Sequence, residues 1–256
     1  MSALPDSFRL DGRVALVTGA SRGIGEAMAR ALAEAGAHVV VTSRKAESVE
    51  AVAESIRQSG GQATGRALHV GRADELAEAV HQIAEAHGGL HVLVNNAATN
   101  PVYGPVEDTD EAAFDQIMGV NVKGPFLLAQ AALPHLADEG GSVINVSSIG
   151  GVKPEAGLGI YSVSKAALVS LTQVMAKEWG PKGVRANAVC PGLIQTRFSQ
   201  ALWDDERTLD RFTRHLPAGR IGVPEDLAGL AVFLASDASA YCTGGVFTAD
   251  GGYLVA

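Results

Sequence analysis

Thr18-Gly19-Ala20-Ser21-Arg22-Gly23-Ile24-Gly25 is the stretch on which the reading of this chain turns. It follows a short β-branched run, RVALVTG (13–19), and precedes a helix-like pattern that continues through about Glu34. A glycine-rich turn between a first strand and a helix lets main chain approach a pyrophosphate, which then sits on the helix N-terminus. The spacing is G-x-x-x-G-x-G, not the G-x-G-x-x-G of many dinucleotide-binding folds. A chance cluster of glycines is the alternative, and the place of the turn between strand and helix argues against it.

Outward from that turn, strand-like and helix-like segments alternate. HVVVTS (38–43) is followed by a helix from about Lys45 to Ser59, then ATGRALHV (63–70), an amphipathic stretch over 73–87 and LHVLVN (90–95). A long helical region (about 111–137), GSVINVSS (141–148), a helix opening at Tyr161, GVRANAVC (183–190) and GGVFTADGG (244–252) complete the series. The strands read as buried runs rather than alternating ones, which is the pattern of a parallel sheet covered by helices on both faces. No linker, repeat or low-complexity segment interrupts the chain. The expectation is an α/β protein: one doubly wound Rossmann-type domain over 1–256 with a parallel seven-stranded sheet.

Composition narrows the partners. With 256 residues the chain is long enough to bury a sizeable core. A net charge of −8, with no block of Lys or Arg, argues against a nucleic-acid surface. MSALPDSFRLDGR at the start has no apolar core like that of a signal peptide, and no apolar run approaches a membrane span. Cys190 and Cys242 lie far apart in apolar surroundings and read as two free thiols in a reducing compartment. A cytoplasmic protein that acts on a small molecule is expected.

The second strand ends in VVVTSRK. Where NAD-binding versions of the fold place a carboxylate for the adenosine ribose hydroxyls, this chain has Ser43, followed by Arg44 and Lys45, and its nearest acid is Glu47. A carboxylate repels a 2′-phosphate, whereas arginine offers it a planar, permanently charged fork. Arg22 in the glycine turn adds a second positive group. NADP(H) is therefore expected over NAD(H); the alternative is that Arg44 is simply solvated at a helix start.

Tyr161-Ser-Val-Ser-Lys165 carries the chemistry. Residues four apart share a helix face, so phenol and ammonium project side by side. At roughly 4 Å and an effective dielectric of about 20 their attraction is about 4 kcal/mol, or about three pKa units. That would bring the phenol towards neutrality, where it exchanges protons readily. Alone, the pair also fits a surface tyrosine beside a solvated lysine.

Taken together, Thr18–Gly25, Asn95-Asn96-Ala97-Ala98, Asn121, Ser148, Tyr161, Lys165 and Pro191-Gly192 resemble the short-chain dehydrogenase/reductase superfamily in its single-domain form, over essentially the whole chain. HVGRADE (69–75), NAATNPVYG (96–104) and PGLIQTRFSQALW (191–203) further resemble its dehydrogenase/reductase member 4 group of NADP-dependent carbonyl and retinal reductases. The resemblance implies that Tyr161 is the general acid or base and that Lys165 lowers its pKa and holds the nicotinamide ribose. It implies that Ser148 holds the substrate oxygen and that Asn121 disturbs its helix and keeps a water that relays protons to Lys165. Gly19, Ser21, Arg22, Gly23, Ile24, Gly25, Ser43, Arg44, Lys45, His69, Val70, Asn96, Ala97, Ala98, Val146, Pro191, Gly192, Ile194 and Thr196 would line the cofactor, together with Tyr161 and Lys165. Two positions depart from the pattern: His69 stands where many relatives have an Asp that touches the adenine, and Ala98 replaces a glycine. The Ser-Lys-Leu-like ending of the peroxisomal members is replaced by Leu254-Val255-Ala256.

His81, His87 and His91 are close in sequence, but Gly88-Gly89 separates them and no metal is expected. Asp204, Asp205 and Glu206 read as a solvated helix start. The segment from about Leu193 to Leu216 reads as an irregular insertion over the substrate, with Phe198, Leu202 and Trp203 either walling the pocket or anchoring the lid. Between Lys165 and Lys177, and from Pro125 to His135, the helices carry no charge; helices apolar all round are usually buried on all sides, so a homotetramer built on them is expected. The expected function is NADPH-dependent reduction of a ketone or aldehyde, reversible as alcohol oxidation. Two alternatives remain: reduction of a 3-oxoacyl thioester, with Arg197, Arg211 and Arg214 as a carrier-docking patch, and a non-catalytic NADP(H)-sensing protein.

Overall fold

Strand β1 (Val14–Thr18) lies in the interior of the sheet with every residue buried, four of them apolar and the fifth, Thr18, hydrogen-bonded. The computed structural model describes residues 5–204, 206–214 and 216–256. Six further strands extend the sheet: β2 (His38–Ser43), β3 (Gln62–Ala67), β4 (Val92–Asn95), β5 (Ser142–Val146), β6 (Arg185–Pro191) and β7 (Val246–Ala249). All pairings are parallel, in the order β3-β2-β1-β4-β5-β6-β7. The chain winds one way from β1 to β3 and the other way from β4 to β7. Its reversal falls between β1 and β4, the crevice where such sheets bind ligands.

The helices are α1 (Gly23–Glu34), α2 (Ala46–Gln58), α3 (Ala73–His87), α4 (Glu111–Met118), α5 (Gly124–Glu139), α6 (Gly159–Trp179), α7 (Gln200–Trp203), α8 (Glu206–Thr213) and α9 (Ala228–Ala235). Successive strand side chains point to opposite faces, and the core divides accordingly. Ala15, Val17, Val39, Val41, Val92 and Val94 pack with Met28 and Leu32 of α1, Ile56 of α2 and Leu234 of α9. Val14, Leu16, Val40 and Leu93 pack on the other face with Val80 and Ile83 of α3, Leu128 and Leu136 of α5 and Met175 of α6. The doubly wound expectation describes this architecture.

Three expectations need correction. The helical region over 111–137 is not continuous: α4 and α5 are joined by one π-helical turn, Gly119–Lys123, which holds Asn121. Helix α9 was not anticipated, because its sequence AGLAVFLA is apolar throughout and a run of eight has no periodicity to separate strand from helix. The 193–216 segment is not wholly irregular, since it contains α7 and α8. Asp205 lies outside the described residues, as do the side chains of Glu206 and Arg211, so neither the acidic helix start nor the three-arginine patch is placed in full.

Candidate active site

The turn after β1 is held by its neighbours rather than by its own side chains. Asn96, just past β4, donates from Nδ2 to the carbonyls of Thr18 at 2.9 Å and Gly19 at 3.1 Å. The Thr18 hydroxyl accepts from the amides of Asn96 at 3.0 Å and Ala97 at 3.1 Å and donates to the Val94 carbonyl. This lacing leaves no room for side chains. A Cβ on Gly19 would come within 2.8 Å of Ala97 Cα, at a φ of +64°, and one on Gly25 within 2.4 Å of Asn96 Nδ2. No side chain caps the start of α1, so its first amides face outward, as an anion cradle requires. Thr196 reaches the same place, its Cγ2 lying 3.3 Å from where a Gly23 Cβ would stand. Ile24 turns its side chain onto the core beneath.

Beyond β2, Ser43 is half-buried and Arg44 and Lys45 are exposed, as is Arg22. None of these three cations has a hydrogen bond or ion pair among the described residues, so their charge is available to an anionic ligand. His69, expected to line the cofactor, accepts from the Gly71 amide through Nδ1 at 3.1 Å and shapes the turn into α3 much as an Asp side chain shapes an Asx turn. Val70 is buried under Gly124. Gly192, after β6, is pressed onto Asp250, whose Cα would lie 2.7 Å from a Cβ there, and Ile194 is buried beside Gly222. A pyrophosphate cradle with free cations beside it fits a phosphorylated dinucleotide.

At the same edge of the sheet, α6 carries Tyr161 and Lys165 against the ends of β5 and β6. Both are buried, at 9% and 2% exposure. Lys165 Nζ donates to the Val146 carbonyl at 2.8 Å and stands 5.6 Å from the Tyr161 ring centroid. The expected lowering of the phenol is not what this arrangement produces. Burial raises the Tyr161 pKa, the Ser148 hydroxyl beside it works the other way, and Lys165 is not among the influences. The ammonium is spent on a carbonyl and on the ring face rather than on the hydroxyl. Lys165 itself falls from 10.5 to about 8 through burial, with the Cys190 thiol opposing. Ser148, following β5, accepts from the Gly150 amide at 3.1 Å.

Asn121 is completely buried in its π turn. Its Oδ1 accepts from the Thr99 amide at 2.8 Å, and Nδ2 donates to the Thr99 carbonyl and to Ser164 Oγ, each at 3.0 Å. Ser164 Oγ donates in turn to the Tyr161 carbonyl at 2.7 Å. Ser147 donates to the Lys165 carbonyl at 2.8 Å, so both it and Ser148 meet α6. Ser147 and Ser164 thus fix the main chain of α6 at Lys165 and Tyr161, which their sequence did not reveal, because a serine beside a motif looks the same whichever way it points.

The segment over the site separates the three wall candidates. Phe198 sits over Tyr161, with ring centroids 6.0 Å apart. Trp203 donates from Nε1 to the Thr196 carbonyl and to Ser199 Oγ, both at 3.2 Å, and so anchors the lid to itself. Leu202 is half-buried, its amide bonded to the Ser199 carbonyl. Tyr103, quoted in the sequence without a role, reaches from the β4–α4 connection and donates to the Phe198 carbonyl at 3.2 Å. Tyr253 donates to Glu155 Oε1 at 2.9 Å and stacks on Phe212 of α8 at 4.7 Å.

Elsewhere, the three histidines go separate ways. His91 Nδ1 accepts from the Val14 amide, His87 lies against His38, and His81 faces Glu85. Among the described residues no group of three or more His, Cys, Asp or Glu is placed to hold a metal ion. Both cysteines are free, and no helix among the described residues is long and apolar enough to cross a membrane.

Fold and site together are those of a Rossmann-type oxidoreductase, and similarity to known proteins narrows this. Residues 19–254 match the family described as enoyl-(acyl carrier protein) reductase. Dehydrogenase/reductase SDR family member 4 of Sus scrofa is 43% identical over 244 residues, 95% of this chain and 88% of that protein. A gluconate 5-dehydrogenase of Burkholderia cenocepacia, solved with NADP and tartrate, superposes with a TM-score of 0.94 at 35% identity and covers 98% of both chains. A short-chain type dehydrogenase/reductase of Mycobacterium marinum gives 0.92 at 38% identity, covering 98% of this chain and 99% of that one. The chain belongs to the short-chain dehydrogenase/reductase family.

Proposed function

We propose that this family member is an NADPH-dependent carbonyl reductase acting on a ketone or aldehyde, reversible as an alcohol dehydrogenase. In this reading the whole chain works as one unit, its N-terminal half for the dinucleotide and its C-terminal half carrying the catalytic residues and the loop 193–216. The observation that carries the proposal is Lys165: a lysine 2% exposed, bonded only to a carbonyl and facing the ring of a buried tyrosine. Burial at this cost to the charged form marks a functional site rather than a stabilising one.

Gly19, Ser21, Gly23 and Gly25 would hold the pyrophosphate on α1, and Arg22, Arg44 and Lys45 the 2′-phosphate. When bound, NADPH supplies the hydride. Ser148 holds the carbonyl oxygen, and Tyr161, kept protonated by burial, donates its proton to that oxygen as the alkoxide forms. Lys165, with a pKa of about 8, is placed to exchange protons near neutrality and resupply the phenol. Both Asn121 side-chain donors are spent on Thr99 and Ser164, so a water held there would use the main-chain carbonyl of the π turn. The NADP-bound relative supports the cofactor class; the free Arg44 supports the phosphorylated form. The two free thiols suit a reducing, cytoplasmic setting. Exposed Phe126, Val163 and Val174 on α5 and α6 support a homotetramer, tested by light scattering at micromolar concentration.

The test follows NADPH and NADH consumption separately over a panel of ketones, diketones and quinones, with Arg44→Ser beside the wild type. We expect NADPH to be preferred, and Arg44→Ser to lower kcat/KM for NADPH about ten- to a hundredfold. Preference for NADH in the wild type overturns the cofactor assignment. A solved 3-oxoacyl (acyl-carrier-protein) reductase of Agrobacterium tumefaciens with NADP bound, 34% identical with a TM-score of 0.92, supports one second reading, reduction of a 3-oxoacyl thioester; turnover of acetoacetyl thioesters well above free ketones would establish it.

A further inference from the structure

Tyr103 stands in the connection between β4 and α4, and its main chain is fixed on both sides. Thr99, ahead of it, is fastened through amide and carbonyl to Asn121. Gly104, after it, donates to the Gly157 carbonyl at 3.0 Å, just before α6 begins. From there the Tyr103 phenol, with the Asn100 side chain beside it, donates to the Phe198 carbonyl at 3.2 Å. It stands near enough to the Tyr161 phenol to be felt by it electrostatically.

The stretch that receives this bond is rigid within itself. Ser199 Oγ donates to the Ile194 carbonyl and accepts from the Thr196 amide, while Trp203 Nε1 donates to the Thr196 carbonyl and to Ser199 Oγ. Near its start it is pinned to the body, where the Gln195 amide donates to the Gly222 carbonyl at 2.8 Å and the Gly222 amide to the Leu193 carbonyl at 3.0 Å. Among the described residues, the only other hydrogen bond between residues 194–203 and the body is that of Tyr103. A unit fixed within itself, pinned at one end and clasped once across the cleft, swings as one piece when the clasp is lost. What it carries with it is the Phe198 ring, 46% exposed and 6.0 Å from the Tyr161 ring between centroids. We infer that Tyr103 is a positioning residue: through the Phe198 carbonyl it keeps the Phe198 ring over Tyr161, where that ring covers the apolar side of the carbonyl substrate. An apolar cover stabilises in proportion to the apolar area it takes from water, so the effect grows with the chain beside the carbonyl. The inference rests on the reductase reading above.

The experiment measures kcat and KM for octan-2-one and for butanone, with NADPH, in the wild type, Tyr103→Phe, Phe198→Ala and the double variant. Tyr103→Phe removes only the donor and should raise KM for octan-2-one about two- to tenfold, with kcat within about twofold and butanone much less affected. Phe198→Ala should lose at least as much, and adding Tyr103→Phe to it should cost nothing further, because both act through one ring. An unchanged KM for octan-2-one, equal losses on both ketones, or a full further loss in the double variant overturns the inference. A tyrosine that merely supported the fold would act on both substrates, with or without the ring. If the wild type reduces neither ketone, the reductase reading has failed, and the clasp is judged by proteolysis. Trypsin cleavage after the exposed Arg197, beside the clasp, requires local opening and should be about two- to tenfold faster in Tyr103→Phe. An unchanged rate overturns it on that route too.

Discussion

The two sides of the cleft are built differently. On the cofactor side, the Thr18–Gly25 turn is laced to the end of β4 by the Asn96 amide and the Thr18 hydroxyl, each bonded to main chain, and its glycines leave no space for a Cβ. On the substrate side, the 193–216 segment is joined to the body by a short bridge at Ile194–Gly222 and by side chains: Tyr103 on Phe198, Trp203 on its own loop, Tyr253 on Phe212. Glycines with no space for a Cβ tolerate almost no change, whereas the side-chain contacts of the lid can be exchanged one at a time. One side can therefore stay constant while the other is retuned for a different substrate, and Tyr161 and Lys165 stand between them.

Four substitutions test that division, in decreasing size of effect. Tyr161→Phe strikes the group that both sides serve; kcat should fall about a thousandfold while NADPH affinity, measured by fluorescence titration, stays within about twofold. Retained turnover would remove Tyr161 from the mechanism. Gly25→Ala attacks the rigid side and should destabilise the fold by about 3 kcal/mol, read by urea denaturation, with weaker NADPH binding. If stability holds, the turn is looser than the contacts imply.

Lys165→Met probes the element between. The folded pKa of about 8 lies below the ordinary 10.5, so below about pH 8 the full penalty of a buried ammonium is present. Stability should rise with pH between those values, because the unfolded chain keeps a proton that the folded one has shed. At neutral pH the inactive Lys165→Met protein should be more stable by about 2 kcal/mol, the lost bond to Val146 being set against the relieved charge. A drop in stability would show that the lysine holds the fold rather than burdening it. Trp203→Phe, on the side-chain-hung lid, should change stability by less than about 1 kcal/mol while raising KM for the carbonyl severalfold. A large loss of stability there would erase the contrast between the two sides.

Much of this was legible from the residues. The glycine turn, the buried strand runs and the positive pair after β2 each state a local physical requirement, so their places in the sheet followed without coordinates. The candidate catalytic residues were legible only as a set, since Y-x-x-x-K alone carries little. What failed was the expected lowering of Tyr161: helical spacing shows that Lys165 shares its face, but not that Nζ would be drawn to the Val146 carbonyl. Trp203 could equally have walled the pocket or anchored the lid, because an indole suits either until its N–H has a partner. Asn100 and Tyr103 stood in a quoted motif and offered no sign of their direction.

Local periodicity and backbone freedom made the doubly wound parallel sheet and the glycine-rich turn legible from the residues alone, and the family resemblance marked the candidate tyrosine, lysine, serine and asparagine. Which partners those groups take came from the packed chain: Lys165 on a carbonyl, Asn121 on Thr99 and Ser164, and Phe198 over Tyr161. Hydrogen bonds and burial depend on segments dozens of residues apart, and that information comes into being only when the chain closes on itself.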